Sequence, residues 1–270
     1  MMLEDPAFAK AVDVAPVACL SIHDSPAFPA GSVALCGGFA AANADSVDIR
    51  IFGRGGHGAW PHQTVDPIVV AAELVLALQT IVSRKINPTS PAVVTVGSIH
   101  GGAKHNIIPD EVTLQLTLRS YTDEVRTQTI AAVRRIVNGI ATAAGVPSDR
   151  MPEIKVKDEF TPALYNDPAL TARLAGVFQQ WLGEGNVMER KPVMGGEDFG
   201  QFGRTEHKIP IFMFGVGTVT PQSFTEAMKS GKAFPSVHSP FFAPDPEPTI
   251  KTGITALTAA AIELLGKPAK

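Results

Sequence analysis

Several features that would assign a protein to a class at once are scarce or missing in this sequence. Among 270 residues there are two cysteines, Cys19 and Cys36, too few for a disulfide framework and not spaced as C-x-x-C. They read as small buried apolar residues of a reducing compartment. Charge of one sign is also lacking: 23 Lys and Arg face 26 Asp and Glu, a formal net charge of −3. So even a balance leaves no electrostatic footprint for nucleic acid, and basic pairs such as Arg134-Arg135 read as a solvated helix face. No segment reaches the roughly 18 consecutive apolar residues of a membrane span. The opening "MMLEDPAFAK" has no basic stretch followed by an apolar one, which argues against a signal peptide. The expectation is a cytoplasmic protein that binds neither nucleic acid nor membrane. There is no H-E-x-x-H, and no repeat or low-complexity segment.

The chain is 45% hydrophobic, enough for one large domain or two modest ones with real cores. Its middle is the easiest part to parse. In "DSVDIRIFG", Val47, Ile49 and Ile51 alternate with Asp48 and Arg50, a half-buried strand ending at Gly53. "DPIVVAAELVLALQTIVSR" reads as a helix, with Asp66 as N-cap and Pro67 in the first turn. "PAVVTVGSIH" is a β-branched strand, and "EVTLQLTLRS" alternates Val112, Leu114, Leu116 and Leu118 against polar residues. "TDEVRTQTIAAVRRIVNGIATAAG" places Ile130, Val133, Val137, Ile140 and Ala144 on one helical stripe and stops at Gly145. "PEIKVKDEF" supplies a last strand. The order β-α-β-β-α-β is that of a ferredoxin-like unit, expected over residues 44–157.

The flanks, 1–43 and 158–270, read as two pieces of an α/β domain into which that unit is inserted. They hold a buried strand "VAPVACLSIH", a second strand after "FPAGS", a helix in "DPALTARLAGVFQQWLG", a glycine-acid loop and a buried strand "IPIFMFGVG". A proline-rich stretch and a C-terminal helix from about Thr249 follow. About three strands and two helices are thin for an independent α/β layer, whose sheet has roughly five strands.

The candidate chemistry is spread out. "FGRGGHGAWPH" sets His57 among four glycines in six residues. Each glycine costs entropy on ordering, so a close approach of backbone is implied rather than a tolerated histidine in a turn. His23 follows a strand, where α/β sites are built, and His238 lies in the loop "PSVHSPFF". Taken singly, both read as ordinary loop histidines. "VMGGEDFG" sets Glu197 and Asp198 after two glycines, either as acids favoured at a helix N-terminus or as a carboxylate pair lining a cleft. Asn106 in "AKHNIIPDEV" suits a turn.

Together these stretches resemble the M20 metallopeptidase family, nearest to its amidohydrolase branch. The stretches are "SIHDSPAFPAGSV", "IRIFGRGGHGAWPHQTVDPI", "IVSRKINPTSPAVVTVGSIHGGAKHNIIPDEVTLQLTLRS", "GGEDFGQF" and "HSPFFAPD", running from about residue 18 to 245. The resemblance implies a partial metallopeptidase-type α/β catalytic domain with an inserted ferredoxin-like lid that dimerises. It implies a divalent metal cofactor, two ions of Mn or Zn per intact site, with His23 and His238 among the ligands. It implies that His57 reaches a partner subunit's site to bind the scissile carbonyl, and that Asn106 and Arg119 contact substrate. Glu197 and Asp198 fall in a motif of the site wall, and the substrate would be an N-acyl amino acid.

The family's Cys-Gly-His and Glu-Glu motifs, which supply metal ligands and the general base, do not occur here. "MMLEDPAFAK" resembles the stretch just after them. The expectation is therefore a truncated chain, binding metal weakly and inactive alone. The alternatives are a non-catalytic dimerisation or ligand-binding module, and half of a split enzyme.

Overall fold

A computed structural model describes residues 16–266, and the opening "MMLEDPAFAK" lies outside the described residues. In chain order the strands and helices begin with β1 (Cys19–Pro29), β2 (Val33–Leu35), β3 (Gly38–Phe52), β4 (Gly56–His57), α1 (Pro67–Arg84) and β5 (Ala92–Gly101). There follow β6 (Ile107–Ile108), β7 (Glu111–Ser120), α2 (Asp123–Ala143), β8 (Glu153–Val156), β9 (Leu164–Asn166) and α3 (Pro168–Leu182). The last are β10 (Val187–Glu189), β11 (Val193–Gly196), β12 (Ile211–Val219), α4 (Pro221–Ser230) and α5 (Pro246–Leu265). These form a mixed α/β chain of two compact units. One holds residues 16–40, 164–193 and 198–266, and the other holds 41–163 and 194–197.

In the second unit the strand order is β8-β3-β7-β5, with every neighbouring pair antiparallel. Counting β3, β5, β7 and β8 by sequence, the order is 4-1-3-2, the ferredoxin-like arrangement, and the short β11 also pairs with β3. The alternation in β7 is strict: Val112, Leu114, Leu116 and Leu118 are buried while Glu111 and Gln115 face out. Those side chains meet Val47, Ile49 and Ile51 of β3 and the inner faces of both helices. Helix α1 begins as its sequence demands, with the Asp66 carboxylate accepting from the Ile68 N–H at 2.9 Å and Pro67 in the first turn. It is long and apolar enough to cross a membrane by length and composition alone. Its Val70, Ala71, Leu74, Leu78 and Ile81 are nevertheless buried in this core. Helix α2 departs slightly from its expected stripe. Val133 and Val137 are buried, but the inner face continues through Ala141, and Ala144 is the exposed C-cap.

In the first unit four strands run in the order β1-β12-β2-β10, one more than the sequence suggests. β1 and β12 are parallel, and β2 runs antiparallel to β12 and parallel to β10. Phe212 and Phe214 of β12 pack on Phe178 of α3, with ring centroids 6.3 and 5.0 Å away, and Ala256 and Ala260 of α5 close the same cluster. β12 is buried along almost its whole length, as its unbroken apolar run demands. β1 is not the buried strand that its composition suggests: it sits at the sheet edge and most of its residues are half-buried. The buried Asn166 amide donates to the carbonyls of Cys36 and Met213, and its oxygen accepts from the Met213 N–H. An unpaired amide there would cost about 1–3 kcal/mol, so these bonds fix β9 against the sheet.

Candidate functional site

The glycine loop is an ordered structure. Its base is closed by the Gly53 N–H donating to Asp110 at 2.8 Å and by Arg54 and Val65 exchanging backbone bonds at 2.9 and 3.1 Å. Above that, β4 and β6 form a two-stranded ladder in which His57 faces Ile107. The next bond, Gly58 N–H to the Asn106 carbonyl at 2.8 Å, brings the segments of His57 and Asn106 together. The glycines are explained by this approach. A Cβ on Gly58 would lie 3.1 Å from the Asn106 carbonyl group, and one on Gly53 would lie 2.3 Å from the Val65 oxygen.

His57 itself is exposed. Its Nδ1 accepts the Ala59 N–H at 3.1 Å, and its ring lies 5.2 Å from that of Trp60 at 38°. Trp60 is 56% exposed and Ile107 55%, so the tip of this loop carries an apolar rim around the imidazole. Reading by residue type passes over Trp60 and the Ala59 amide. The only available signal is an aromatic three positions after a loop histidine.

Arg119, near the end of β7, is half-buried, and its Nε donates to the Thr117 hydroxyl at 3.0 Å. Its guanidinium lies against the glycine-acid loop: a Cβ on Gly196 would be 3.0 Å from Arg119 Nη1. The second unit thus brings Arg119 to the residue before Glu197. Asp198 opens a 3-10 helix, Asp198–Arg204, and is exposed. A guanidinium held in this way suits a planar carboxylate, which it can grip with two parallel N–H bonds.

In the first unit His23 is not at a strand end, as its sequence suggests, but in the middle of β1, opposite Gly215. Its Nδ1 lies 2.7 Å from the Asp24 backbone oxygen and 3.1 Å from the Asp24 carboxylate. An oxygen acceptor requires the proton on Nδ1, so in a neutral ring the lone pair lies on Nε2, the arrangement of a metal-binding imidazole. His238 is exposed on the loop between α4 and α5. A cleft of about 670 Å³ with a mixed lining that includes Ser223, Glu226, Ala227, Lys232, Phe234 and Pro235 lies between α4 and that same loop. Asp245 stands at the N-cap position of α5 without a side-chain capping bond, and its N–H donates to the Thr218 carbonyl at 2.7 Å. Among the described residues no three His, Cys, Asp or Glu side chains gather closely enough to hold a metal ion. A catalytic zinc-type site needs about three protein ligands, so these residues do not make a complete one. The cysteines do not substitute as nucleophiles: burial pushes both thiols up, and Arg190 only partly offsets this at Cys36.

The site residues and the fold define a two-unit α/β protein whose ferredoxin-like unit presents an ordered histidine loop and a seated arginine. Comparison with known proteins extends this. Residues 39–143 match the peptidase dimerisation domain of the M20 family. The chain is 34% identical over 246 residues to thermostable carboxypeptidase 2 of Saccharolobus solfataricus, a match covering 91% of this chain and 58% of the relative. It is 38% identical over 179 residues to the N-acetyldiaminopimelate deacetylase of Leuconostoc citreum, covering 66% and 45%. It superposes on the Bacillus subtilis YXEP protein, described as a dinuclear metal binding peptidase from the M20 family. That match has a TM-score of 0.66 at 22% identity and covers 94% of this chain and 58% of that one. The chain therefore spans about half the length of the relatives it matches. It belongs to the M20 family of metallopeptidases and amidohydrolases.

Proposed function

We propose that this chain carries the substrate-gripping part of an amidohydrolase acting on N-acyl amino acids, and that it works as a homodimer through its ferredoxin-like lid. A carboxypeptidase substrate and an N-acetylated amino acid share one substructure, an amide followed by a carboxylate one carbon away. The observation that carries the reading is the Arg119 guanidinium, half-buried, tied to Thr117 and packed on the bare backbone of Gly196 beside Glu197. Arg119 would bind the carboxylate of the substrate, and Asn106 and Glu197 would lie along its flank, with Asp198 at the edge of the wall. His57 would donate to the carbonyl oxygen of a substrate held by the partner subunit, stabilising charge that develops there.

His23 and His238 would be two donors to a divalent-metal centre, Mn or Zn. The described residues do not complete that centre or bring a carboxylate base to it. The chain alone is therefore expected to hold metal weakly and to turn over little or no substrate. The same incomplete donor set favours a second reading, a ligand-binding and dimerisation module without catalysis.

Calorimetric titration of the whole chain with N-acetyl amino acids and with their carboxamide analogues tests the first step. The acids should bind and the amides should not. Arg119→Ala should weaken binding roughly tenfold or more, the scale of one charge-assisted pair. Equal affinity for acid and amide would remove the reading. Hydrolysis assays with added Mn²⁺ or Zn²⁺ test the second step: turnover by this chain alone, abolished by His238→Ala, would show that the centre is complete without other groups.

A further inference from the structure

We propose that Ala59 and Trp60 form a positioning pair that holds His57 as a neutral imidazole protonated on Nε2, so that the loop presents a hydrogen-bond donor outward. The Ala59 backbone N–H donates to His57 Nδ1 at 3.1 Å. A backbone amide is only a donor, so Nδ1 must keep its lone pair, and the single proton of a neutral ring then resides on Nε2. The ring nitrogen nearest the loop backbone is used up, and the other points away from it.

The bond alone would not prevent the ring from turning over. Rotation by half a turn about the Cβ–Cγ bond exchanges Nδ1 with a C–H and loses the Ala59 contact. Trp60 opposes this. Its ring lies 5.2 Å from the imidazole at 38°, covering one face, and it does so while 56% exposed. The loop beneath is stiff: β4 is paired to β6, and Gly58 and Gly53 are bonded to the backbone of Asn106 and Asp110. A histidine built this way is a donor to oxygen. It is not a base acting through Nδ1, nor a metal ligand through Nδ1.

This step rests on the reading of His57 as a carbonyl-binding group, but its test needs no substrate. Long-range proton–nitrogen correlation spectra of the whole chain, labelled at histidine, report which ring nitrogen carries the proton. His57→Gln assigns the signal. The unchanged protein should show the Nε2–H pattern for His57. Ala59→Pro, which removes the donor to Nδ1, should turn that signal into an average of both tautomers, whereas Trp60→Ala should keep the Nε2–H form and speed the turning of the ring. The signals of the other histidines report on the fold, and Trp60→Leu serves if the alanine variant loses it. An Nδ1–H pattern in the unchanged protein, or an unaltered single tautomer in Ala59→Pro, overturns the proposal. Failure of N-acyl amino acids to bind would overturn the functional reading and leave the tautomer as found.

Discussion

Two glycines of this protein clear space for different neighbours, and the difference decides what their replacement does. A Cβ on Gly53 would meet the Val65 backbone oxygen at 2.3 Å, and the Cδ of Pro67 stands 2.6 Å away. Neither can move without opening the base of the histidine loop. Gly53→Ala should therefore destabilise the ferredoxin-like unit by about 1–3 kcal/mol, the usual cost of overpacking, read as a lower urea midpoint. At Gly196 the nearest atom is Arg119 Nη1, 3.0 Å from the added carbon and the far end of a side chain, with the Ala44 Cβ next at 3.3 Å. Gly196→Ala should lower the urea midpoint less than Gly53→Ala, because only the Ala44 Cβ at 3.3 Å has to give, but it should push the guanidinium aside, weakening binding of N-acetyl amino acids in the same titration that measures Arg119→Ala. A change in stability without a change in affinity would mean that Gly196 serves the backbone and not the arginine. Of these relations the sequence shows only the first in outline. Clustered glycines around His57 announce a close approach, but the meeting of Arg119 with Gly196 joins distant segments and leaves no local pattern.

At the scale of elements, local signals carry far where burial is one-sided. Helices α1, α2, α3 and α4 begin at Asp66, Thr122, Asp167 and Thr220, each accepting from a backbone N–H in the first turn. Three of the four are followed at once by proline. This signature makes α1 legible, and applied to Thr220-Pro221 with Gly231 as left-handed cap it would also have marked α4. That helix instead reads as part of a proline-rich stretch because it is only ten residues long, its apolar stripe is limited to Phe224, Ala227 and Met228, and none of its residues is buried. Strands β9, β10 and β11, of three or four residues, are too short to show a period, and neighbours far along the chain define them.

A second feature hidden from the sequence is the ion pair between β3 and α2. Asp45, with its side chain fully buried, accepts two bonds from Arg126 at 2.8 and 2.6 Å, and Phe160 lies 4.0 Å beneath the guanidinium. The Asp45 bonds hold the Arg126 proton more firmly than usual. Asp45→Ala would strand that arginine, and unfolding should cost about 3–5 kcal/mol less. Replacing both partners, Asp45→Leu with Arg126→Met, should recover much of the loss. A double variant as unstable as the single one would show that the pair does more than satisfy itself.

For the whole molecule, the decisive matter is what covers the outer surface of the ferredoxin-like unit. The inner face of α1 is spent on the core, yet its outer face still carries Ile68 at 43%, Val69 at 53% and Leu76 at 73% exposure. Val69 and Leu76 are two turns apart on one side. Beside them in the strand order β5 ends the sheet, paired with β7 on one edge, with Ile99 52% exposed. An apolar helix face and an open strand edge on one unit are the ingredients of a self-complementary contact, and this unit matches a dimerisation domain. The chain should therefore sediment as a dimer at micromolar concentration. Leu76→Glu places a charge in the apolar stripe of each copy and should shift the equilibrium toward monomer, with the helical signal and the urea midpoint of the isolated protomer preserved. The functional reading depends on the same result, because His57 is proposed to serve the neighbour's substrate. In a mixture, His57→Gln chains and Arg119→Ala chains should regain, in hybrid dimers, one site with both groups intact. If the unchanged chain sediments only as a monomer, His57 has no neighbour to serve, and its outward donor would have to be assigned to a ligand of its own subunit.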